Sequence, residues 1–585
     1  MILLLFLQRK MMGTIHHTYN HLSVKTPETA FCGIGVSMPN RRRGGNSLII
    51  NKLSQKPTTT LQPSTLIYHL NTIQMKKSIK LKAVALSVAM TLGMLSPMTM
   101  TAQWHPEAEI DINNVKTTLY GTGNFYRMRG GKQNNTDYGY FVPATGDAST
   151  IYQNTLWIGG LDADDSLHVS AVRFNHVGED FWSGPLRVTD ASTDIFNVMN
   201  YHHVWKVSRA EIEALIANPG GEIPEDILTW PADHAPFVDV DGDGIYNPHN
   251  GDYPDILGDM TLFCIYNDNY DFYNNGYVVH GETGGAPLGI EIHCMLYGFN
   301  APDDEILNNT LFMRQWIYNR SANDYHDTYI GSWTDVDIGF SHDDYIGCNV
   351  QNGYYYGYNA EEVDGDGEPG SYGANPPAQI IMILGGPTMD PDGLDNPKYD
   401  SNGNQIVDES INGIGFGDGI VDNERLGMTG FLYHNNTGIS VNGDPYVAAE
   451  YYLLLRGIWK NGAHLQYGGT GVPGAAGTVG PECKFMFPYD SDPYNWGTGG
   501  VMPNGGFNQN GLYWSEETGN YGAPNTPEDR RGLASSGPFT FESGTVQVLD
   551  RAYVTCWFTN GFDRTEMDNW ATYIKDYFLN NLNNK

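Results

Sequence analysis

Short stretches of alternating apolar and polar residues, each ended by glycine, proline, asparagine or aspartate, recur between about residue 150 and residue 560. Successive side chains of a β-strand point to opposite faces, so this period near two predicts strands rather than helices. The 69 glycines and 31 prolines of the 585-residue chain end most runs after a few residues. Many short strands joined by turns are typical of antiparallel sandwiches. We therefore expect a mainly β fold of antiparallel β-sandwich domains, with long Gly/Asp/Asn-rich loops and few short helices.

Individual segments carry this pattern. The segment 155–174 has two alternating runs around an Asp-rich turn, which predicts a hairpin, and the segment 537–558 predicts two strands around a glycine turn. Further strands are predicted at 261–268, 289–299, 311–321, 328–340, 378–386 and 449–459.

Two segments have the 3.6-residue period of a helix. Ser208 and Glu211 form a capping box ahead of an apolar stripe. Near the C-terminus, Thr565 and Asp568 are predicted to cap a helix whose apolar face we expect to pack on the sheet. That face consists of Trp570, Tyr573, Ile574, Tyr577 and Phe578.

The segment 75–102 has the features of a secretory signal peptide, namely a basic start, an apolar run and a small residue, Ala102. Gln103 would then be the first residue of the exported protein. Residues 1–74 have no sustained periodicity and are expected to be a disordered upstream extension, with a long targeting leader as the alternative. No other segment is long and apolar enough to span a bilayer. We expect a protein that is secreted or held at the cell surface.

The charge balance becomes more acidic after the predicted cleavage. The whole chain has a formal charge of −34, but 12 of its 33 basic residues and only one of its 67 acidic residues precede Gln103. The remaining 21 basic and 66 acidic residues give residues 103–585 a formal charge of −45. Such a surface repels nucleic acid and anionic membranes and attracts divalent cations.

The sequence therefore predicts five regions along the chain. They are an extension at 1–74, a signal peptide at 75–102, a β-rich region with one helix and an Asp-rich loop at 103–255, a large β-sandwich with inserted Asp/Gly-rich loops at 256–560, and an amphipathic helix at 561–585.

Five cysteines follow the predicted cleavage site, and none belongs to a CxxC pair, so a thiolate zinc site is not expected. Cys264 and Cys294 lie on two predicted strands and are our candidates for a disulfide. Buried, unpaired thiols are the alternative.

The stretch VDVDGDGIYNPHNGDYPD, at 238–255, has the spacing of a calcium loop. The stretch is not an EF-hand, because Asn250 occupies the position of the EF-hand glutamate and because Pro236 and Pro248 flank the loop, where an EF-hand has helices. It resembles instead the Asp-rich loops of dockerins and thrombospondin type 3 repeats. A solvated turn is the alternative. The expected ligands of a structural Ca2+ ion are Asp239, Asp241, Asp243, the Ile245 carbonyl, Asn247 and Asp252.

Similar spacings recur in three later segments. Each is a weaker calcium candidate, because Asp, Asn and Gly also form ordinary turns. The residues are Asp400, Asn402, Asn404, the Ile406 carbonyl and Asp408; Asp418, Asp422 and Glu424; and Asp364, Asp366 and Glu368. A fourth acidic segment contains Asp335, Asp337, Asp343 and Asp344, for which we expect a solvated face, with a metal site or a catalytic carboxylate pair as alternatives.

A combination of Asp-rich and Trp-Pro motifs resembles a group of uncharacterised exported β-rich proteins of Bacteroidota, many of which carry a C-terminal sorting domain for type IX secretion. The motifs are TLWIGGLDADDSLHVSA, EDFWSGPL, IPEDILTWPA, FVDVDGDGIYNPHNGDYPDILGD, DDYIGCN, YGANPPAQ and DNERLGMTGF. The resemblance covers most of residues 110–560 and implies an extracellular β-rich protein without an established activity. This sequence departs from the pattern at its end, where an amphipathic helix is predicted in place of a sorting domain.

The sequence favours an exported, calcium-stabilised β-rich protein with a structural, adhesive or binding role at the cell exterior. It contains no HExxH, GxSxG or phosphate-loop motif, so it does not nominate an enzyme. The alternative is a carbohydrate-active module that binds or hydrolyses glycans, since many tyrosines and tryptophans lie in loops. Exposed Trp496 and Trp514 in a groove would favour that alternative. The expected partners are divalent cations, together with an extracellular glycan or a cell-surface component.

Overall fold

The computed structural model describes residues 106–585 except for 127–138, 175–177, 271–279, 404–405, 407–409, 439, 504–506, 509–510 and 521. The predicted extension, the signal peptide and Gln103 lie outside the described residues.

Two large antiparallel sheets form the body of the fold. The first has the strand order β1-β2-β3-β4-β13-β22-β19, with β5 paired to β4. Its strands are β1 (Glu107–Ile110), β2 (Thr117–Tyr120), β3 (Asn124–Phe125), β4 (Ile151–Leu161), β5 (Leu167–Ser170), β13 (Tyr325–Val336), β19 (Gly430–Asn435) and β22 (Arg530–Phe541).

The second sheet has the order β14-β15-β18-β23-β12-β11-β10-β6, and β7 also pairs with β10. Its strands are β6 (Trp182–Ser183), β7 (Trp205–Ser208), β10 (Met260–Asn267), β11 (Ile290–Gly298), β12 (Thr310–Asn319), β14 (Asp344–Asn349), β15 (Tyr354–Asn359), β18 (Ala378–Gly385) and β23 (Val546–Cys556).

Smaller elements complete the described part of the chain. Three two-stranded ladders pair β8 (Phe237–Val238) with β9 (Tyr253–Pro254), β16 (Val363–Asp364) with β17 (Gly373–Ala374), and β20 (Gln466–Gly468) with β21 (Thr478–Glu482). The helices are α1 (Ile195–Asn200), α2 (Arg209–Ala217), α3 (Glu225–Leu228), α4 (Glu305–Asn308), α5 (Ala448–Leu455) and α6 (Arg564–Asn581). Among these described helices, none combines the length and apolar character that a membrane span requires.

The two sheets pack face to face, which confirms the predicted mainly β, antiparallel sandwich. The Tyr355 hydroxyl of the second sheet lies 2.6 Å from Thr334 Oγ1 of the first. In the same interior, Arg551 donates to Asn154 Oδ1 at 3.1 Å. The opposite face of the second sheet is also covered, because α6 packs on β18 and β23. Most strands are therefore buried on both faces, and the alternation in their sequences is weaker than in a half-exposed sheet.

Each of the two large sheets contains strands from both predicted regions, 103–255 and 256–560. The predicted hairpin at 155–174 is confirmed, since β4 and β5 pair antiparallel. The two strands predicted at 537–558 are present as β22 and β23, but the chain crosses from the first sheet to the second between them. This crossing joins the two halves of the sandwich.

The strand predicted at 449–459 is wrong, because residues 448–455 form helix α5. Its buried residues are Tyr451, Tyr452, Leu454 and Leu455, the spacing of one helix face, whereas a strand would bury alternate residues. Alanine, leucine and glutamate also favour a helix. The helix covers the outer face of the first sheet, where the Tyr451 ring meets the edge of Trp157 at 4.8 Å between centroids.

The two predicted helices are present. Ser208 caps α2 with the complete capping box to Glu211. Helix α6 begins earlier than predicted, because Asp563 accepts from the backbone of Thr565 at 2.8 Å and of Glu566 at 3.2 Å. Asp568 instead accepts hydrogen bonds from the side chains of Tyr354 and Asn349. The predicted apolar face does pack on the sheet through Trp570, Ile574 and Phe578, while Tyr573 and Tyr577 stay partly exposed.

The predicted disulfide between Cys264 and Cys294 is not formed, although the two residues face each other on β10 and β11. Both are free, buried thiols. Burial raises the pKa of the Cys264 thiol well above its ordinary value, and this disfavours the thiolate that disulfide formation requires. The alternative of buried, unpaired thiols therefore describes this pair.

We expect Cys264 and Cys294 to resist alkylation in the native protein and to be alkylated after denaturation without reductant. Peptide mass spectrometry measures the alkylation of each cysteine in the native and in the denatured protein, and a denatured, fully reduced sample provides the control. A disulfide-linked pair of peptides carrying these two residues in the unreduced sample would contradict the structure.

Candidate metal centres

The loop between β8 and β9 holds the first candidate centre. The two short strands close it with the register Val238 to Tyr253. Asp239 accepts from the backbone of Gly242 at 2.7 Å and of Gly244 at 2.8 Å. These glycines have φ values of 77° and 76°, a left-handed conformation that other L-residues rarely adopt. The repeated Asp-Gly pairs therefore fold the chain back around the first carboxylate.

The loop brings three of its predicted ligands together, since carboxylate oxygens of Asp239, Asp241 and Asp252 lie within 4.8 Å of one another. Asp252 is fully buried and accepts from the backbone of Val240 and of Asn247, each at 2.8 Å. At an effective dielectric near 20, each pair of like charges about 4 Å apart costs roughly 4 kcal/mol. The backbone donors offset part of this repulsion, and a cation between the carboxylates would remove it.

Of the other predicted acidic ligands of this loop, Asp243 does not belong to the cluster. Asp243 accepts from the backbone of Ile245 at 2.8 Å. The Ile245 side chain is exposed, and the Asn247 side chain accepts from the His249 backbone at 3.1 Å. Carboxylate oxygens with two lone-pair sites can accept a backbone hydrogen bond and bind a cation together. The centre in this structure therefore rests on Asp239, Asp241 and Asp252.

Within the described residues, the carboxylates of the later Asp-rich segments do not converge into clusters of three. Their carboxylates accept hydrogen bonds from backbone N–H groups instead. Asp418 accepts from Ile420, and Glu424 accepts from Asn396. Asp422 accepts from both Asp392 and Gly393. Asp400 accepts from the backbone of Asn402 at 2.8 Å, and the Ile406 backbone donates to Lys398, while Asn404 and Asp408 lie outside the described residues.

In the third segment, Asp364 belongs to no acidic cluster of the described residues. It is fully buried and accepts from the backbone of Phe340 at 2.7 Å and of Tyr372, whereas Asp366 and Glu368 are exposed. Both donors lie far from Asp364 along the chain, so this carboxylate joins two separate loops.

The solvated face expected for Asp335 and Asp337 is wrong, because both side chains are buried at the end of β13. Together with Asp529 they form a second group whose carboxylate oxygens lie within 4.8 Å of one another. Burial, aided by the neighbouring carboxylates, raises the pKa of Asp335 well above its ordinary value, although Arg531 lies 3.3 Å away. Asp344, next to this group in sequence, is buried as well. The prediction failed because Asp335 lies opposite Arg531 on the paired strand β22, a contact between distant parts of the chain.

A buried ion network adjoins this second group. Asp444 lies 2.9 Å from Arg173 and 3.0 Å from Arg531, and His434 Nδ1 lies 3.2 Å from it. Burial alone would raise the pKa of Asp444, but His434 and the two guanidinium groups outweigh it and hold the pKa well below its ordinary value. Arg173 also pairs with Glu282 at 2.9 Å. The network joins the outer face of the first sheet to the loop that follows β19.

A third group was not predicted from the sequence and combines imidazole with carboxylate. Ligand atoms of His234, Glu291 and His293 lie within 4.8 Å of one another. Glu291 and His293 are two residues apart on β11 and so point to the same face, and His234 lies in the loop after α3. The sequence Glu-Ile-His in a predicted strand indicates that Glu291 and His293 lie on one face. No feature of the sequence near His234 indicates that it joins them.

The two tryptophans whose exposure in a groove would favour a carbohydrate-active module are not at the surface. Trp496 and Trp514 are both buried, and Trp514 packs against Tyr467 with ring centroids 4.5 Å apart. An open cleft of about 310 Å³ is lined mainly by amide and hydroxyl groups, and its aromatic residue, Tyr433, is buried beneath Arg530. The tryptophans therefore fill the interior of the loops.

No protein-family model matches this chain, and no curated protein is significantly similar to it.

Proposed function

We propose that this chain is an exported, calcium-stabilised β-rich protein with a structural, adhesive or binding role at the cell exterior. The observation that carries the proposal is the convergence of Asp239, Asp241 and Asp252 in a loop closed by its own two-stranded ladder. Ca2+ prefers oxygen ligands in a flexible cage, and three converging carboxylates offer that chemistry.

The overall charge supports the same assignment. A chain with 66 acidic and 21 basic residues after Gln103 gains from bound divalent cations, which reduce its self-repulsion. The predicted signal peptide at 75–102 would deliver it to a compartment where calcium is abundant. The broad antiparallel sandwich is suited to presenting loops as a binding or structural surface.

Calcium titration of the purified protein tests the proposal. We expect saturable calcium binding, weakened at least about tenfold by Asp241→Ala, because an exposed ligand is lost from a site with few carboxylates. Asp147→Ala, which removes an exposed acid elsewhere, is the control and should leave the binding unchanged.

Asp243→Ala separates the two possible ligand sets. If the site uses Asp239, Asp241 and Asp252, this substitution should affect binding less than Asp241→Ala does. Absence of saturable calcium binding, or equal binding by the wild type and Asp241→Ala, would contradict the proposal.

A further inference from the structure

Glu291 Oε1 is the centre of a cluster of nitrogen groups on the outer face of the second sheet. His293 Nε2 lies 2.8 Å from it and His234 Nδ1 lies 3.9 Å from it. In a tetrahedral site with bonds near 2.1 Å, neighbouring ligand atoms are about 3.4 Å apart. The two observed separations bracket that value, so small side-chain shifts would place all three atoms around one ion.

The surroundings hold these side chains in place. The rings of His234 and His293 meet edge to face, with centroids 5.4 Å apart. Glu291 Oε2 accepts from the Leu186 backbone at 2.6 Å, which fixes the carboxylate and leaves Oε1 directed at the histidines. Glu291 is fully buried and His293 nearly so. A ligand set fixed in this way loses little conformational entropy when it binds an ion.

The outer nitrogen of His234 faces a carboxylate at a distance longer than a direct hydrogen bond. Its Nε2 lies 3.6 Å from the carboxylate of Asp233, which in turn accepts a hydrogen bond from Tyr201. A carboxylate behind a ligating histidine orients the ring and strengthens its donor nitrogen. Asp233 is largely exposed, so this side of the cluster is open to solvent and gives an ion a route in.

Arg320 is the feature that competes with an ion. Its guanidinium lies 2.7 Å from the same Glu291 Oε1 and stacks over Tyr318 at 4.3 Å. The carboxylate oxygen has two lone-pair sites, so it can keep this contact while the other site, now facing His293, accepts an ion. An ion between His293 and Glu291 would replace the hydrogen bond that joins them.

We propose that His234, Glu291 and His293 form a binding site for a divalent first-row transition-metal ion such as Zn2+. Two imidazole nitrogens and one carboxylate oxygen suit such ions and not calcium or magnesium, which prefer oxygen. Three protein ligands leave a further position open on the exposed side. The site shares no ligand with the calcium loop.

Metal titration in buffer saturated with calcium tests this site. We expect one Zn2+ per chain, and Co2+ in its place should give the visible absorption bands of a site with nitrogen ligands. His234→Ala should weaken Zn2+ binding at least about tenfold and remove the Co2+ bands, because one of three ligands is lost. His464→Ala, which removes a mostly exposed histidine elsewhere, is the matched control and should change neither result.

Arg320→Gln provides a second variant that keeps the ligands and removes the competing positive charge. The proposal predicts tighter Zn2+ binding in this variant. If the cluster is only an ion-pair network, neither the wild type nor Arg320→Gln will bind stoichiometric Zn2+. That result, or equal Zn2+ binding by the wild type and His234→Ala, would overturn the proposal.

Discussion

Asp444→Ala is expected to lower the free energy of unfolding by about 3 to 5 kcal/mol, the range observed when one partner of a buried ion pair is removed. The Asp444 carboxylate lies 2.9 Å from Arg173 and 3.0 Å from Arg531, and both guanidinium groups are nearly inaccessible to solvent. Without it, two buried positive charges lose the anion they share. Arg173 keeps Glu282 and Arg531 keeps Asp529, so the fold should persist.

Chemical denaturation of the wild type and Asp444→Ala measures this loss. Asp111→Ala is the matched control, because its partner Lys206 lies at the same 2.9 Å but both side chains are substantially exposed. Exposed pairs contribute roughly 0 to 1 kcal/mol. A loss of stability in Asp444→Ala no larger than that of Asp111→Ala would contradict the role given to the network.

The stability difference between wild type and Asp444→Ala should also depend on pH. The folded protein holds the pKa of Asp444 below its ordinary value of 3.8, so the charged carboxylate stabilises the folded state above that pH. As the pH falls below 3.8 towards the lowered pKa, this contribution is lost. The difference should therefore be largest above pH 4 and shrink on acidification.

The fold was predictable where the pattern of the sequence is local. Alternation predicted strands such as β10 and β11, and the capping box predicted α2. The prediction of a strand failed at α5. A run of tyrosine and leucine is equally compatible with a buried strand and a buried helix until the packing partner is known. The pairing of strands from distant parts of the chain, such as β4 with β13, leaves no local signal.

The candidate centres differ in the same way. Asp239, Asp241 and Asp252 lie within one short segment, and the spacing predicted that they meet, although it also predicted Asp243, which is not in the observed group. His234 and Glu291 are more than fifty residues apart in the sequence. They lie close together only because the loop after α3 packs on the sheet. Asp335 and Asp529 come together only because β13 pairs with β22. Contacts of this kind depend on tertiary packing rather than on spacing.

Calcium removal is the second change for which we expect a large effect. An ion that binds only the folded state adds RT ln(1 + [L]/Kd), about 4 kcal/mol when its concentration exceeds Kd a thousandfold. Millimolar calcium reaches that excess for a micromolar site, and a weaker site gains less. Without the ion, the carboxylates of Asp239, Asp241 and Asp252 repel one another within 4.8 Å, so the loop should open and the following strand β10 should loosen.

The melting temperature with and without a chelator, at low ionic strength, tests the central claim most directly. We expect the chelator to lower it and calcium, but not magnesium, to restore it, because the smaller ion fits a flexible oxygen cage poorly. The same effect should persist in His234→Ala, which excludes the histidine cluster as its source. Asp241→Ala should lower the melting temperature of the calcium-loaded protein and shrink the chelator effect. Identical melting curves with and without chelator would mean that backbone hydrogen bonds and solvent alone hold these acids in place, and would contradict calcium stabilisation.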